Sequence, residues 1–503
     1  MVQPSVDRFR KPRVVSFAWL ALVLTVGALI RLASLHNSLW LDELSTLWAV
    51  EGTLSQLLQR VPQTMGMSSF YFFLPWISIH ALGESEVALR LPSLLAIGAC
   101  TVLVAMAAAR IGGRRAALWS ALLLWLSYPA VWESLNARPY AVAWFFASLA
   151  VLGLARACTT PGGSRAGRVM WVLGAAGVGW AQYLYLPFVA AIGVSALLDR
   201  RLRFAYSIRQ AAVDAGLIAG LLLPAVPHIV SLLVGRHAQA WSLSPRPLAL
   251  VAPLVPFVLA ALMPAARARE TDAAAPLRRA LWIGVGAQVV AIMGASVVSV
   301  DLTASRYVGV TVVAAALLAG LNMARLAKVD LVAPLAAYAL TTGAGFYATY
   351  QVCGSLSGAG YQQWREAVAA MRMAYVQDPG APVLFRSGNA EDDLSAPDGS
   401  LWPASLAPLR SPGEAAPNWD VVLLTYRWTN PDRAAYFDRV VRAAVTDRRA
   451  FYLLCLVSDE PGAHGYCSAV NEWIRQQWPG RFRAEPLGEF DQIMAIRFVR
   501  GNN

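Results

Sequence analysis

From Val14 to Tyr350 long apolar runs alternate with short polar connections. A helix crossing a bilayer needs about 20 mostly apolar residues, and that length divides residues 14 to 350 into roughly eleven segments. The first, about Val14 to Leu35, follows the basic stretch RFRKPR much as a signal peptide would. It lacks a small-residue cleavage site and is long enough to span, so it reads as a permanent helix. The run SSFYFFLPWISIHAL (68–82), with Pro75 and His80 inside it, is too short for a crossing. It is expected to rest at the outer interface as an amphipathic or re-entrant helix. Residues 169–198 are tight for two crossings, and the sidedness of everything after them depends on that pair.

After about Tyr350 the periodicity changes. YQQWREAVAAMRMAYVQ, DRAAYFDRVVRAAVTDRR and AVNEWIRQQW have helical spacing, whereas APVLFRS, WDVVLLTY, AFYLLCLVS and QIMAIRFVR read as short strands. The expected fold is therefore a mainly α membrane protein. A bundle of about 11 transmembrane helices, with interfacial helices in its first outer loop, fills residues 1–350, and a soluble α/β domain fills 351–503. Cys455 and Cys467 are close enough in sequence to pair in an oxidising compartment; a disulfide and two buried thiols are both open.

Composition supports this class. The chain is 57% hydrophobic and 14% charged, with a mean hydropathy of +0.49, outside the soluble globular range. Its net charge of +12 could suggest nucleic acid. However, the arginines cluster in short connections such as RIGGRR (110–115), RACTTPGGSRAGR (156–168) and ARARETDAAAPLRR (266–279). Basic connections fix membrane orientation, so the charge is topological and these loops are expected to be cytoplasmic. The outer set is then 36–90, a loop around 130–140, a turn near 182–186, 233–247 and SVDLTASRY (299–307).

Those outer loops carry the unusual polar residues. Asp42 and Glu43 sit together in HNSLWLDELSTLW, just past the first span. Carboxylates at a helix N-terminus are favoured by its dipole, which accounts for one acid without requiring two. Neighbouring helical residues point about 100° apart, so one of them can enter a site while the other caps. WESLNARPYAVAW (132–144) places Arg138 near a hydrocarbon boundary, DLTASRYVGV places Arg306 beside Tyr307, and SEVALRLPS places Arg90 at the start of the second span. A lone arginine there would snorkel. Three on one face near two acids point instead to phosphate, for which the planar guanidinium is suited. His36, His80, His228, His237 and His464 are scattered without metal-ligand spacing, and GAAGVG (174–179) lacks the Lys-Ser/Thr of a phosphate loop.

Taken in order, SLWLDELSTLWAVEG, YFFLPWISIHALGESEVALRLPSLLA, ESLNARPYAVAW, QYLYLPF and SRYVGVTVVAAALLAGL resemble the polytopic lipid-linked glycosyltransferases of the C superfamily. That group includes protein O-mannosyltransferases and the enzyme that adds aminoarabinose to lipid A, and the resemblance covers about residues 15 to 325. It implies a multi-pass enzyme of a bacterial inner membrane that works on the non-cytoplasmic side, where the odd number of expected spans also puts the C-terminal domain. Its partners would be a polyprenyl-phosphate sugar donor, membrane lipid and an exported glycan, lipid or protein acceptor, without nucleic acid. By that resemblance Asp42 maps to the catalytic acid residue and Glu43 to its partner. Arg90, Arg138 and Arg306 are candidates to hold donor phosphate, and Tyr71, Tyr140 and Tyr307 to line the substrate. One departure is plain: where many relatives have His-Pro-Pro-Leu-Tyr-Tyr, this chain has MSSFYF (67–72), which keeps Tyr71 and loses the His and both prolines. No cofactor is assigned, and a divalent metal stays open. The main alternative is a transporter or flippase of lipid-linked sugars, although no internal repeat is evident and the acids gather at one rim. A further alternative is an assembly protein whose outer domain carries the function.

Overall fold

The computed structural model describes residues 17–61, 69–160, 163–199, 206–235, 251–257, 275–298, 302, 304–353, 358, 360, 362–387, 403–414, 417–424, 431–457 and 465–501. The basic stretch before the first span, residues 67 and 68, much of 233–247 and parts of 266–279, 299–307 and the polar stretch 395–414 lie outside these residues, as do His237 and His464.

Among the described residues the first half of the chain is helical: α1 (Phe17–Leu32), α2 (Leu41–Val50), α3 (Leu54–Arg60), α4 (Ser69–Leu82), α5 (Glu86–Trp125), α6 (Tyr128–Ser134), α7 (Tyr140–Thr159) and α8 (Arg165–Ala181). There follow α9 (Leu186–Leu198), α10 (Ile208–Leu222), α11 (Val226–Gly235), α12 (Ala275–Val298), α13 (Thr311–Met323) and α14 (Val332–Cys353). Five helical stretches, within 86–125, 140–159, 208–230, 275–297 and 329–351, are long and apolar enough to cross a membrane, and the chain is a multi-pass membrane protein. Leucines and valines such as Leu217, Val290 and Leu340 are widely exposed on these helices, as lipid-facing positions are.

The long helix α5 is broken inside RIGGRR. Gly113 has φ 80° and ψ −170°, outside the helical region and open to glycine at no Cβ cost. Two helical segments therefore meet at the basic connection. α4 is a 14-residue helix that continues through Pro75.

The connections sort by charge to opposite ends. At the basic end Arg110 donates to the Thr159 and Thr160 hydroxyls at 3.2 and 2.9 Å, Arg115 reaches the Leu326 carbonyl at 3.3 Å, and Arg279 pairs with Asp199 at 2.6 Å. α7 starts two residues after Arg138 and ends at Thr159. Its 20 residues separate the basic end from the end carrying Asp42 and Glu43 by about 30 Å, at 1.5 Å per residue.

The C-terminal part contains α15 (Trp364–Tyr375), β1 (Pro382–Arg386), β2 (Asp420–Leu423), α16 (Pro431–Val445), β3 (Ala450–Leu456), α17 (Tyr466–Gln477), β4 (Phe482–Pro486) and β5 (Ile493–Arg500). The strands form one sheet in the order β2-β1-β3-β5-β4. β2, β1 and β3 are parallel, and β5 and β4 are antiparallel to their neighbours. All seven residues of β3 are buried, because this central strand is covered on both faces. Val383, Phe385, Tyr452 and Leu454 share one core with Trp364, Ala367 and Val368 of α15 and with Leu41 and Leu44 of α2. The alternate residues Leu384, Phe451, Leu453 and Cys455 pack on Val441 of α16 and Val470 and Ile474 of α17. Cys455 and Cys467 form a disulfide, with Cα atoms 5.9 Å apart, that ties β3 to α17. β4 and the 3-10 turn Pro403–Leu409 are elements that the polar-apolar pattern does not announce. Because one apolar core runs from α2 to the sheet, the sheet sits at the acidic end of the bundle.

Candidate active site

α2 begins immediately after Trp40, and its first turn contains both acids. They point to different partners, as the 100° step between adjacent helical residues requires. Glu43 is fully buried and fixed. Its two oxygens accept from Arg90 Nε at 2.8 Å and Nη2 at 2.6 Å, and Oε1 also accepts the Ala137 amide at 2.9 Å. Oε2 faces the Trp40 amide at 3.4 Å and closes a capping arrangement. Glu43 therefore caps its helix and ties it to the 134–140 connection.

Arg90 is likewise fully buried. Besides the forked pair with Glu43 it donates to the carbonyls of Leu35 at 3.0 Å, Asn37 at 2.8 Å and Ser38 at 3.1 Å. These bonds gather the chain leading into α2 around one guanidinium. The donors of Arg90 are thus directed into the protein.

Asp42 faces the other way, toward Arg138 and Arg306. Its Oδ2 lies 3.3 Å from Arg138 Nη2 and 3.3 Å from Arg306 Nη1. Arg138 Nη1 also donates to the Asp42 carbonyl at 3.2 Å. Arg138 owes its position to Pro139, since a residue before proline is pushed out of helical geometry and α6 and α7 break there. Arg306 sits in a 3-10 turn, Ser305–Tyr307. The buried Gln288 holds that turn, donating to the carbonyls of Tyr307 at 2.9 Å and Leu184 at 2.8 Å, while the Tyr185 hydroxyl donates to the Arg306 carbonyl. The Nε atoms of Arg138 and Arg306 are buried without a hydrogen-bond partner. Residues 42, 138 and 306 thus meet although they are separated by up to 264 positions in sequence.

The tyrosines gather here as well. Tyr140, at the start of α7, lies within electrostatic reach of Arg306, Tyr307, Arg138 and Asp42. Tyr307 lies under the Arg306 guanidinium at 5.3 Å from its ring centre. Tyr71, on α4, is fully buried within reach of Arg138, Glu43 and Glu133.

Two residues at this site were not singled out in the sequence. Glu133, in α6, is buried near Arg306 and Arg138, and burial pushes its carboxyl up to about 8 against the opposing pull of those cations. The signal was present: an acid beside a hydrocarbon boundary is as unusual as Arg138 in the same stretch. Gln362, which leads into α15, accepts the Leu41 amide at 2.8 Å and so satisfies one of the free donors at the start of α2. Composition gives no sign of that contact. The sheet side braces α2 further through Arg410 to Glu51, and braces its approach through the Arg365 amide to Ser38 Oγ at 3.3 Å.

A cavity of about 310 Å³ is bounded by Trp40 just before α2, by α6, by Trp144 of α7, by the Arg306 turn and by Thr349 of α14; Arg306, which lines it, also pairs with Asp42. It has the size of small-molecule sites. Among the described residues no group of three His, Cys, Asp or Glu side chains is placed to hold a metal ion.

No protein-family model matches the chain, and no curated protein does. Two solved structures of ArnT from Cupriavidus metallidurans do resemble it. The one described as bound to undecaprenyl phosphate has a TM-score of 0.59 at 14% identity, covering 96% of this chain and 98% of that one. The apo state gives 0.58 at 14% identity over the same shares. Both are glycosyltransferases of the C superfamily, and the likeness shows a shared fold over nearly the whole of both chains.

Proposed function

We propose that the protein is a membrane glycosyltransferase that moves a sugar from a polyprenyl-phosphate donor to an acceptor on the non-cytoplasmic face. One observation carries this reading: a single carboxylate oxygen, Asp42 Oδ2, is held between two guanidiniums, each 3.3 Å away, at the rim of a membrane bundle. In the fold neighbour described with undecaprenyl phosphate, the same architecture accompanies a phosphorylated lipid. The acidic end is then the non-cytoplasmic one, in keeping with the arginine-rich connections opposite. In this reading residues 1–350 form a transferase unit of about eleven crossings. Residues 351–503 form an α/β domain outside the cytoplasm of a bacterial inner membrane.

Chemically, the acceptor hydroxyl attacks the anomeric carbon, the bond from that carbon to the phosphate oxygen breaks, and polyprenyl phosphate leaves with the bonding electron pair. Asp42 takes the hydroxyl proton as general base. Arg138 and Arg306 meet the charge that develops on the departing phosphate, a stabilisation that gains strength where water is excluded. The two roles are linked. A donor phosphate draws both guanidiniums away from Asp42 and so frees the carboxylate to bind the acceptor only when the donor is present. Glu43 and Arg90 are positioning residues that set the angle of α2. Tyr140 and Tyr307 pack around the Asp42, Arg138 and Arg306 cluster and Tyr71 is buried near it, while none of the three lines the 310 Å³ cavity.

The test is to incubate purified protein with synthetic polyprenyl-phosphate sugars and measure release of polyprenyl phosphate together with glycosylation of an added acceptor. Release that requires Asp42 is the expected result. Movement of intact lipid-linked sugar across a bilayer without cleavage would replace the transferase by a flippase.

A further inference from the structure

The cavity lined by Arg306 has walls of an unusual kind. Trp40, Tyr128, Trp132 and Trp144 present aromatic surface, and Glu133 and Arg306 supply charge at its edge. Aromatic faces with a few fixed polar groups suit a ligand that is itself a plate of C–H bonds edged by hydroxyls. The side of the pocket near Trp132 leaves little room for movement, because Gly358, at φ 73°, passes so close that a Cβ there would fall 1.8 Å from the indole. Trp40 is held by its indole N–H, which donates to Asn136 Oδ1 at 3.0 Å.

Not every polar group at the cavity is satisfied: Trp144 Nε1, Arg306 Nε and Glu133 Oε2 are buried without a hydrogen-bond partner, and Glu133 is the only acid among them. The residue is 5% exposed, it lines the cavity, and its Oε2 is buried with no hydrogen-bond partner. An acid left in that state is costly unless something completes it. Arg306 both lines the cavity and contacts Asp42, so whatever fills the pocket lies one guanidinium away from the proposed base.

Resting on the glycosyltransferase reading, we propose that this cavity holds the glycosyl ring of the donor and that Glu133 is a specificity-determining residue, hydrogen-bonded to one of the sugar's hydroxyl groups. The indole and phenol rings take the C–H face of the sugar, and the phosphate lies toward Arg306 and Arg138. Glu133 then selects among sugars by which ring position carries a hydroxyl within its reach. A site built to bond a hydroxyl discriminates strongly against the analogue lacking it, because its own polar group is left unpaired.

The test uses the full-length protein in nanodiscs with three probes: bare polyprenyl phosphate, polyprenyl phosphates bearing hexosyl or pentosyl headgroups, and monodeoxy analogues of the headgroup that binds best. Affinity is read by tryptophan fluorescence and transfer by product formation. Wild type is expected to bind one glycosylated lipid more tightly than the bare lipid. Glu133→Leu should weaken that ligand on the order of 10-fold to 100-fold while changing affinity for bare polyprenyl phosphate less than about two-fold. One monodeoxy analogue should lose a similar factor on wild type and nothing further on Glu133→Leu. Equal loss for bare and glycosylated lipid, or full additivity with every analogue, overturns the proposal. If Glu133→Leu does not fold, Glu133→Gln carries the test: replacing the acid by an amide should reorder the analogues, and an unchanged order overturns it. Sugar-selective, Glu133-dependent binding without any transfer would leave the pocket in place and remove the enzyme reading. Transfer without that selectivity would do the reverse.

Discussion

Replacing Arg90 by Met separates the two roles open to this arginine. In the structure the side chain is fully buried, with a forked pair to Glu43 at 2.8 and 2.6 Å and bonds to the carbonyls of Leu35, Asn37 and Ser38. Met fills much of the space but leaves the Glu43 carboxylate with only the amides of Ala137 and Trp40, and strands those carbonyls. Removing one partner of a buried ion pair costs about 3–5 kcal/mol, since a charge then stays out of water without compensation. At about 1.4 kcal/mol per factor of ten, the folded-to-unfolded ratio should fall by roughly two to three and a half orders of magnitude. The assay is the fraction of monodisperse protein left in detergent after a series of heating steps, measured beside the Michaelis constant for donor. A lowered midpoint is expected, with kcat reduced by misplacement of α2 and donor KM unchanged in the protein that stays folded. Glu43→Leu combined with Arg90→Met should recover part of the lost stability, because exchanging a whole buried pair for apolar side chains is often neutral. A midpoint equal to wild type with donor KM raised about ten-fold or more would refute this reasoning and return Arg90 to the phosphate.

Asp42→Asn and Asp42→Ala should abolish transfer while membrane levels of folded protein stay unchanged; full activity in both would remove the base assignment. Arg138→Ala and Arg306→Ala should each raise donor KM on the order of 10-fold, as expected for a lost charged hydrogen bond, and unchanged donor kinetics would reassign that arginine to anchoring. Gln362→Ala removes the acceptor for the Leu41 amide and should lower kcat without touching any residue that meets substrate; an unaltered kcat would show that α2 needs no brace from the sheet side. Because burial raises the Glu133 carboxyl to about 8 while in an unfolded chain it titrates near about 4.3, the folded state favours its proton. Its contribution to stability is full below pH about 4 and is lost as pH rises through about 8, so Glu133→Gln should flatten the fall in melting temperature across that window. Replacing Cys455 and Cys467 by Ser opens a loop with a sequence separation of 12, worth about 3 kcal/mol in the chain-entropy account, and should speed proteolysis of the C-terminal sheet.

The amino-acid order alone determined the class of molecule. Apolar runs of spanning length require a membrane, since no water-soluble surface accommodates them, and the Arg-rich connections sort to one end because charge and hydrocarbon do not mix. The change of period after Tyr350 likewise fixed where β1, β3 and β5 form, because strand and helix spacing are local properties. The charge of the connections also grouped the stretches that carry Asp42, Arg138 and Arg306 on one side. Which of the neighbouring acids enters the site was decided only in three dimensions: helix phase turns Asp42 toward Arg138 and Arg306 and turns Glu43 into the fork of Arg90. The same holds for Gln362, which reaches α2 across a separation of 321 residues, and for Glu133, whose carboxyl stands out only once aromatic walls close around it. Contacts at such separations depend on how helices pack, and packing is a property of whole surfaces that no local stretch of sequence contains.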